Sequence, residues 1–96
     1  MSTTVVAEIR PATGHSQEVE QALRAAVARV RAEDAGCERY ELNLDAASGS
    51  YVMVEQWADE EALAAHAAGP AFAALTAALD GLLAAPIAVR PLVLLV

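Results

Sequence analysis

Stretches that alternate every second residue and stretches with helical spacing succeed one another along the 96-residue chain. Val5, Ala7 and Ile9 alternate with Val6, Glu8 and Arg10 until Pro11 ends the run, which predicts a strand. Thr13 and Gly14 make a turn. Ser16 is expected to cap a helix with Gln17, Glu18 and Glu20 in its first turn, and Val19, Leu23, Val27 and Val30 recur at helical spacing as far as Glu33. Gly36 supplies the residue that follows a helix end. From Cys37 to Leu44 the period returns to two, with Tyr40, Leu42 and Leu44 on one face and Arg39, Glu41 and Asn43 on the other. Residues 45–50, with Ser48 and Gly49 among them, read as a hairpin loop.

A third strand is predicted from Tyr51 to Trp57, and neither of its faces is plainly polar: Tyr51, Met53 and Trp57 project one way, Val52 and Val54 the other. Asp59 caps a short helix opened by Glu60 and Glu61. Gly69 and Pro70 interrupt it, and Pro70 starts a second segment carrying Phe72, Leu75, Leu79 and Leu82. Residues 87–96 predict a last strand that is apolar on both sides, Ile87, Val89, Val93 and Leu95 opposing Leu92, Leu94 and Val96. The order β, α, β, β, α, β predicts a single α+β domain over residues 1–96, a ferredoxin-like split βαββαβ antiparallel sheet with both helices on one face. Two helices cover one face only. The apolar residues left on the other predict a second copy packed against it, a homodimer.

Composition sharpens this picture. Hydrophobic residues make up 56% of the chain and aromatics 4%, so disorder is excluded, and a domain this small gains from burial against a partner. Thirteen acidic residues face six arginines and no lysine, giving a net charge of −7 that repels phosphate backbones and anionic lipid; neither nucleic acid nor membrane is expected as a partner. One cysteine, Cys37, allows no internal disulfide, and the apolar residues near the start are broken by Glu8 and Arg10 rather than forming a signal peptide; a cytoplasmic setting is expected. Residues 62–79 are alanine-rich but interrupted by His66, Gly69 and Pro70, which rules out a membrane span there.

Motifs exclude more than they assign. His15 in a turn and His66 in a helix, without HxH, HExxH or CxxC spacing, provide no metal-ligand set. Neither a Gly-rich phosphate loop nor a Gly-x-Ser-x-Gly elbow is present, so nucleotide-dependent and hydrolase chemistry fall away.

From Gly36 onward the residues resemble a known family. Gly36, Cys37, Arg39, Tyr40, Glu41 and Leu42, then Tyr51, Val52, Met53, Val54, Glu55, Trp57, Asp59, Ala62, Leu63 and His66, then Phe72 and Leu75, are similar in order and spacing to the antibiotic biosynthesis monooxygenase family of dimeric α+β barrels. The resemblance implies a barrel built by two chains and, from the better-understood members, oxygenation without metal, flavin or nicotinamide. In that chemistry an electron-rich phenol is deprotonated and its anion reacts directly with oxygen. The protein then supplies an apolar pocket for a flat ring, a base and a donor to the developing oxyanion. The family's anthrone-oxidising branch carries an asparagine four residues before its tryptophan. Met53 stands there in this chain, so the quinol monooxygenase-like branch is the nearer resemblance.

The residues assigned by this resemblance also have plainer readings. His66, three residues after Leu63, is the expected acid or base, or else a partly buried helix histidine satisfied by the backbone or by a carboxylate such as Glu55. Trp57, Phe72, Met53 and Tyr51 are the expected pocket walls, Trp57 serving equally as a core anchor. Glu55, flanked by apolar residues, needs a partner, Arg39 or His66, and a structural ion pair is the simpler reading than a general base. Tyr40 and Tyr51 pack in the sheet or the dimer contact with their hydroxyls paired, and Cys37 is a small buried hydrophobe. The expected function is a cofactor-independent monooxygenase acting with molecular oxygen on a quinol-like or polycyclic phenolic compound. The alternative is a non-catalytic dimer of the same fold that binds a small molecule or serves a stress response; a haem-binding or isomerase-like member is a third.

Overall fold

A computed structural model describes residues 2–96. The elements run β1 (Thr3–Ile9), α1 (Ser16–Glu33), β2 (Cys37–Leu44), β3 (Tyr51–Trp57), α2 (Glu60–Ala67), α3 (Pro70–Ala78) and β4 (Ala88–Leu92). The four strands form one antiparallel sheet in the order β2-β3-β1-β4, the ferredoxin-like βαββαβ arrangement with its second helix in two pieces. Breakage between α2 and α3 follows from Gly69 and Pro70: proline at the first turn of α3 has no N–H to continue the earlier helix, and Gly69 carries no Cβ to meet the Ala65 carbonyl oxygen, 2.9 Å from where one would stand.

Alternation sets the faces. Val5, Ala7 and Ile9 of β1 are buried with Tyr51, Met53, Glu55 and Trp57 of β3 under the helices, and α1 adds Val19, Leu23, Ala26 and Val30. Ala26 lies deeper than Val27, the residue expected on that stripe, because α1 packs on α3 through small side chains: Ala22, Ala25 and Ala26 face Ala71, Ala74 and Ala78 across a narrow groove. A bulge between Cys37 and Arg39 in β2 keeps Tyr40 turned inward opposite Glu55.

Three local expectations are corrected. Ser16 is not the cap of α1 but its first residue; the Val19 N–H bonds to the His15 carbonyl oxygen, and the His15 ring pairs with Glu18 at 2.8 Å. Leu44, expected beside Tyr40 and Leu42, sits at the end of an edge strand and is 59% exposed. The last strand stops at Leu92 rather than continuing to Val96, because Leu92 pairs with Thr4 and β1 starts only one residue earlier, at Thr3, so residues 93–96 overrun the strand they would bond.

Two apolar surfaces remain open. On the sheet face away from the helices Val6, Val52 and Val54 are half-buried. Every residue of β4 is exposed, and Leu92, Val93, Leu94, Leu95 and Val96 form an uncovered apolar run. Among the described residues no helix is long and apolar enough to cross a membrane.

The tightest junction is at Gly36, whose φ of +81° is the left-handed conformation; a Cβ placed on it would stand only 2.6 Å from the Cβ of Ala62 on α2. Gly36→Ala is therefore expected to destabilise the fold by about 2–5 kcal/mol, the sum of a left-handed backbone cost of about 1–2 and an overpacking cost of about 1–3. Urea unfolding at constant m-value checks this, whereas Gly14→Ala, with nothing within 4 Å, is expected to show only the backbone part.

Candidate functional site

The sequence from Trp57 into α2 builds the site. After β3 the Ala58 N–H bonds to the Gly36 carbonyl oxygen at 2.8 Å, and Asp59 caps α2 by accepting from the Ala62 N–H at 2.8 Å. The helix thus starts directly over the turn between α1 and β2. Ala62 and His66, four residues apart, lie on one face of α2 and meet that turn. Ala62 fits against Gly36, and one helical turn later His66 reaches the side chain of Asp34, Nδ1 to Oδ2 at 2.6 Å.

Around that pair the aromatic residues close in. The Trp57 ring is fully buried and stacked on the His66 imidazole, with centroids 4.5 Å apart and planes 28° from parallel. Tyr40 makes T-shaped contacts with His66, centroids 5.5 Å apart, and with Trp57, centroids 6.2 Å apart, and Phe72 of α3 stands 5.4 Å from the imidazole at a tilt of 56°. Trp57 Nε1–H donates to Glu55 Oε1 at 3.0 Å. The cluster therefore runs from Asp34 to His66, across the stack to Trp57, and on to Glu55.

Electrostatics follow from burial. Glu55 is raised above its ordinary value of 4.5 because burial disfavours the carboxylate, an effect only partly offset by the Trp57 hydrogen bond and the nearby His66. Burial likewise raises the Tyr40 hydroxyl, with the Glu55 and Asp34 charges adding to it, and the Cys37 thiol, with Asp34 and Glu55 again adding. Cys37 is accordingly a poor thiolate nucleophile.

Of the residues singled out in the sequence, His66, Trp57 and Phe72 come together, with Glu55 joined through Trp57. Met53 is 1% exposed and lies on the same face of β3, two residues before Glu55, in the packed core. Tyr51 is at the far end of β3, about 20 Å from Trp57 at ~3.3 Å per residue, and its hydroxyl is engaged by Glu20 Oε1 at 3.0 Å and the Ser16 carbonyl oxygen at 3.3 Å. Arg39 is on the opposite face of the sheet, paired with Glu41; Glu55 finds Trp57 as its hydrogen-bond partner instead.

Asp34 is the member that sequence reasoning passed over. Its one signal is position: a carboxylate at the C-terminal cap of α1 faces the negative end of the helix dipole and calls for a cationic or hydrogen-bonding partner.

Two openings are lined by residues expected as pocket walls, Phe72 in one and Tyr51 in the other, and His66, Trp57 and Met53 line neither. One, of about 550 Å³, runs between α3 and residues 79–89; it is walled by Phe72, Leu79, Leu83, Ile87 and Val89, with Thr76 and Asp80 as its side-chain polar groups. The other, of about 330 Å³, lies between α1 and the end of β2 beside Tyr51, Glu20, Arg24 and Arg31, remote from the imidazole. Phe72 is the side chain that both walls the first opening and touches the His66 ring. Among the described residues no group of three or more His, Cys, Asp and Glu is placed to hold a metal ion.

Comparison with known proteins gives the following. The family profile described as antibiotic biosynthesis monooxygenase matches residues 2–78. In fold, the chain is similar to Rv0793 from Mycobacterium tuberculosis, with a TM-score of 0.90 and 27% identity over 99% of this chain and 96% of the other. It is also similar to PA3566 from Pseudomonas aeruginosa, with a TM-score of 0.88 and 34% identity over 99% and 95% of the two chains. SO0527 from Shewanella oneidensis matches with a TM-score of 0.87 and 25% identity over 95% and 88%. No curated protein matches the sequence.

The raised Glu55 carboxyl has a consequence for stability. A group whose folded pKa lies above its unfolded value stabilises fully at low pH and loses that contribution as pH rises through the folded pKa. Glu55→Gln keeps an acceptor for the Trp57 indole and removes the titration. Its melting temperature relative to the parent is expected to rise between pH 4 and pH 8, measured by thermal denaturation across that range; a difference that stays flat or falls with pH would contradict the burial-raised assignment.

Proposed function

Because the chain belongs to the antibiotic biosynthesis monooxygenase family, we propose that it is a cofactor-independent oxygenase of a small, apolar, quinol-like or polycyclic phenolic compound. The observation that carries this is the contact of His66 with Phe72, a side chain that also walls an apolar opening of about 550 Å³, large enough for a fused ring system. His66 takes the proton of a ring hydroxyl, a step suited to an imidazole near neutral pH. The phenolate passes electron density to a ring carbon, oxygen adds there, and the resulting hydroperoxide loses water. One oxygen atom ends in the product and one in water, and the substrate supplies both reducing electrons. Trp57 holds the imidazole plane by stacking, Phe72 touches the imidazole and walls the opening, and Glu55 holds the indole through Nε1. Met53 in the packed core and Tyr51 at the far end of β3 take no part in this opening, and Arg39 lies on the outer sheet face.

The lone Cys37 and acidic surface are compatible with a reducing, cytoplasmic setting. With oxygen uptake followed over a panel of reduced benzoquinones and naphthoquinones, turnover above the uncatalysed rate is expected. His66→Ala is expected to lower kcat by about 100-fold or more, the usual worth of a positioned acid–base group. Absence of turnover, or full activity in His66→Ala, would remove the assignment. A non-catalytic binding protein of the same fold is the second reading, favoured by the small 5% exposure of His66. It predicts that a quinone raises the melting temperature without any product forming.

The unit in this proposal is a homodimer, supported by the uncovered outer sheet face and the apolar run from Leu92 to Val96. Sedimentation at micromolar concentration is expected to give twice the 10.0 kDa chain mass, and removal of residues 93–96 to shift it toward the single chain. A full-length monomer under these conditions would overturn the dimer.

A further inference from the structure

Asp34 has no part in the proton transfer described above, yet its side chain is only 11% exposed and meets that of His66, 5% exposed, at 2.6 Å. We infer that Asp34 is a positioning residue: it accepts a hydrogen bond from His66 Nδ1–H and so holds the imidazole in the tautomer whose Nε2 lone pair faces outward and can take a proton. The inference rests on the acid–base role proposed for His66 and names what prepares it.

Three observations converge on this role. An ionised carboxylate only accepts hydrogen bonds, so the short contact assigns the proton to Nδ1 and leaves Nε2 as the acceptor. Among the described residues Nε2 has no hydrogen-bond partner and no fully buried side-chain nitrogen or oxygen lacks one, so Nε2 is the ring nitrogen that keeps an opening to water. Finally, Asp34 is not free to move away. Its backbone N–H bonds to the Val30 carbonyl oxygen at 2.9 Å, its carbonyl oxygen accepts from the Cys37 N–H at 3.3 Å, and the Gly36–Ala62 contact seats α2 against the same turn.

A carboxylate at the C-terminal end of a helix is electrostatically disfavoured, and the imidazole N–H offsets that disadvantage. From the surrounding elements Glu55 of β3, Tyr40 and Cys37 of β2, and Arg31 of α1 also bear on this region. Burial favours the protonated forms of Tyr40, Cys37 and Glu55, which leaves Asp34 as the carboxylate in direct contact with the imidazole.

The test uses full-length protein with ¹⁵N-labelled histidine. Long-range ¹H–¹⁵N spectra, recorded in mildly alkaline buffer, are expected to show the Nδ1–H tautomer. Asp34→Ala is expected to shift the ring toward the Nε2–H form that free histidine prefers. Asp34→Asn, which keeps shape and an acceptor but not the charge, guards against a folding failure and is expected to weaken the Nδ1–H preference. In the quinol oxidation assay Asp34→Asn is expected to lower kcat by about 10- to 100-fold with little change in KM, with Asp34→Glu restoring part of the loss. An Nε2–H tautomer in the parent protein, or an unchanged tautomer balance in Asp34→Ala, would overturn the inference. Because the spectra are recorded on free protein without turnover, they answer for the pairing whether or not any quinol is oxidised.

Discussion

The close approach of α2 to the turn between α1 and β2 is the constraint from which the rest of the interior follows. It exists because Gly36 has no Cβ and can hold a φ of +81°, two properties needed at one position. Ala62, the smallest side chain that still favours a helix, takes the space this leaves. The same glycine accepts the Ala58 N–H, so the end of β3 and the start of α2 are tied to the turn by backbone as well as by packing. Once that junction is made, helical geometry dictates which residue comes next on the same face, and it is His66. Asp34 and Trp57 then stand on two sides of its ring.

The interior so formed is unusual for a chain of this size. A small domain has little apolar area to spare, yet this one buries Glu55, His66 and most of Asp34 beside its single tryptophan. Among the described residues each side-chain nitrogen or oxygen fully withdrawn from water is paired, which removes the largest penalty. Pairing does not by itself make such a cluster stabilising, since well-packed apolar residues generally serve a core as well or better than a buried ionic pair. Architecture alone therefore gives a weak reason for three titratable groups around one indole. Proton transfer next to an apolar opening gives a stronger one, because it requires groups whose charge is adjustable and whose positions are not.

How far the sequence could be read depended on the range of each interaction. Periodicity and capping act within a few residues, and they located all four strands, the helix break at Gly69 and Pro70, and the cap at Asp59. The length of the last strand depended on something non-local, the point at which β1 begins, and the apolar pattern of residues 93–96 carries no trace of it. The site divides in the same way. Trp57, His66 and Phe72 stand out as rare aromatic residues in an alanine-rich stretch and do meet. The partner of His66 lies 32 residues away across a tertiary junction, so spacing could not disclose it, and an acid at a helix end was the only sign. Arg39 was matched to Glu55 on charge alone; the pleat sends the two side chains to opposite faces of the sheet.

Charge also bears on how the open sheet face could be covered. The chain carries a net −7, so two copies brought together at random would repel. On the face away from the helices, the registers align Thr4, Val6 and Glu8 with Gln56, Val54 and Val52, with Arg39, Glu41 and Asn43 on one flank and Leu92, Arg90 and Ala88 on the other. That surface holds two arginines, Arg39 and Arg90, and two carboxylates, Glu8 and Glu41, so it is neutral in an acidic protein, with valines at its centre. The excess negative charge lies mainly on the helices, loops and turns. A neutral, valine-centred face flanked by an uncovered apolar tail meets the two physical requirements for like-with-like association, apolar area to bury and no net repulsion to overcome. The same arrangement leaves most of the acidic groups at the periphery, where water and salt screen them.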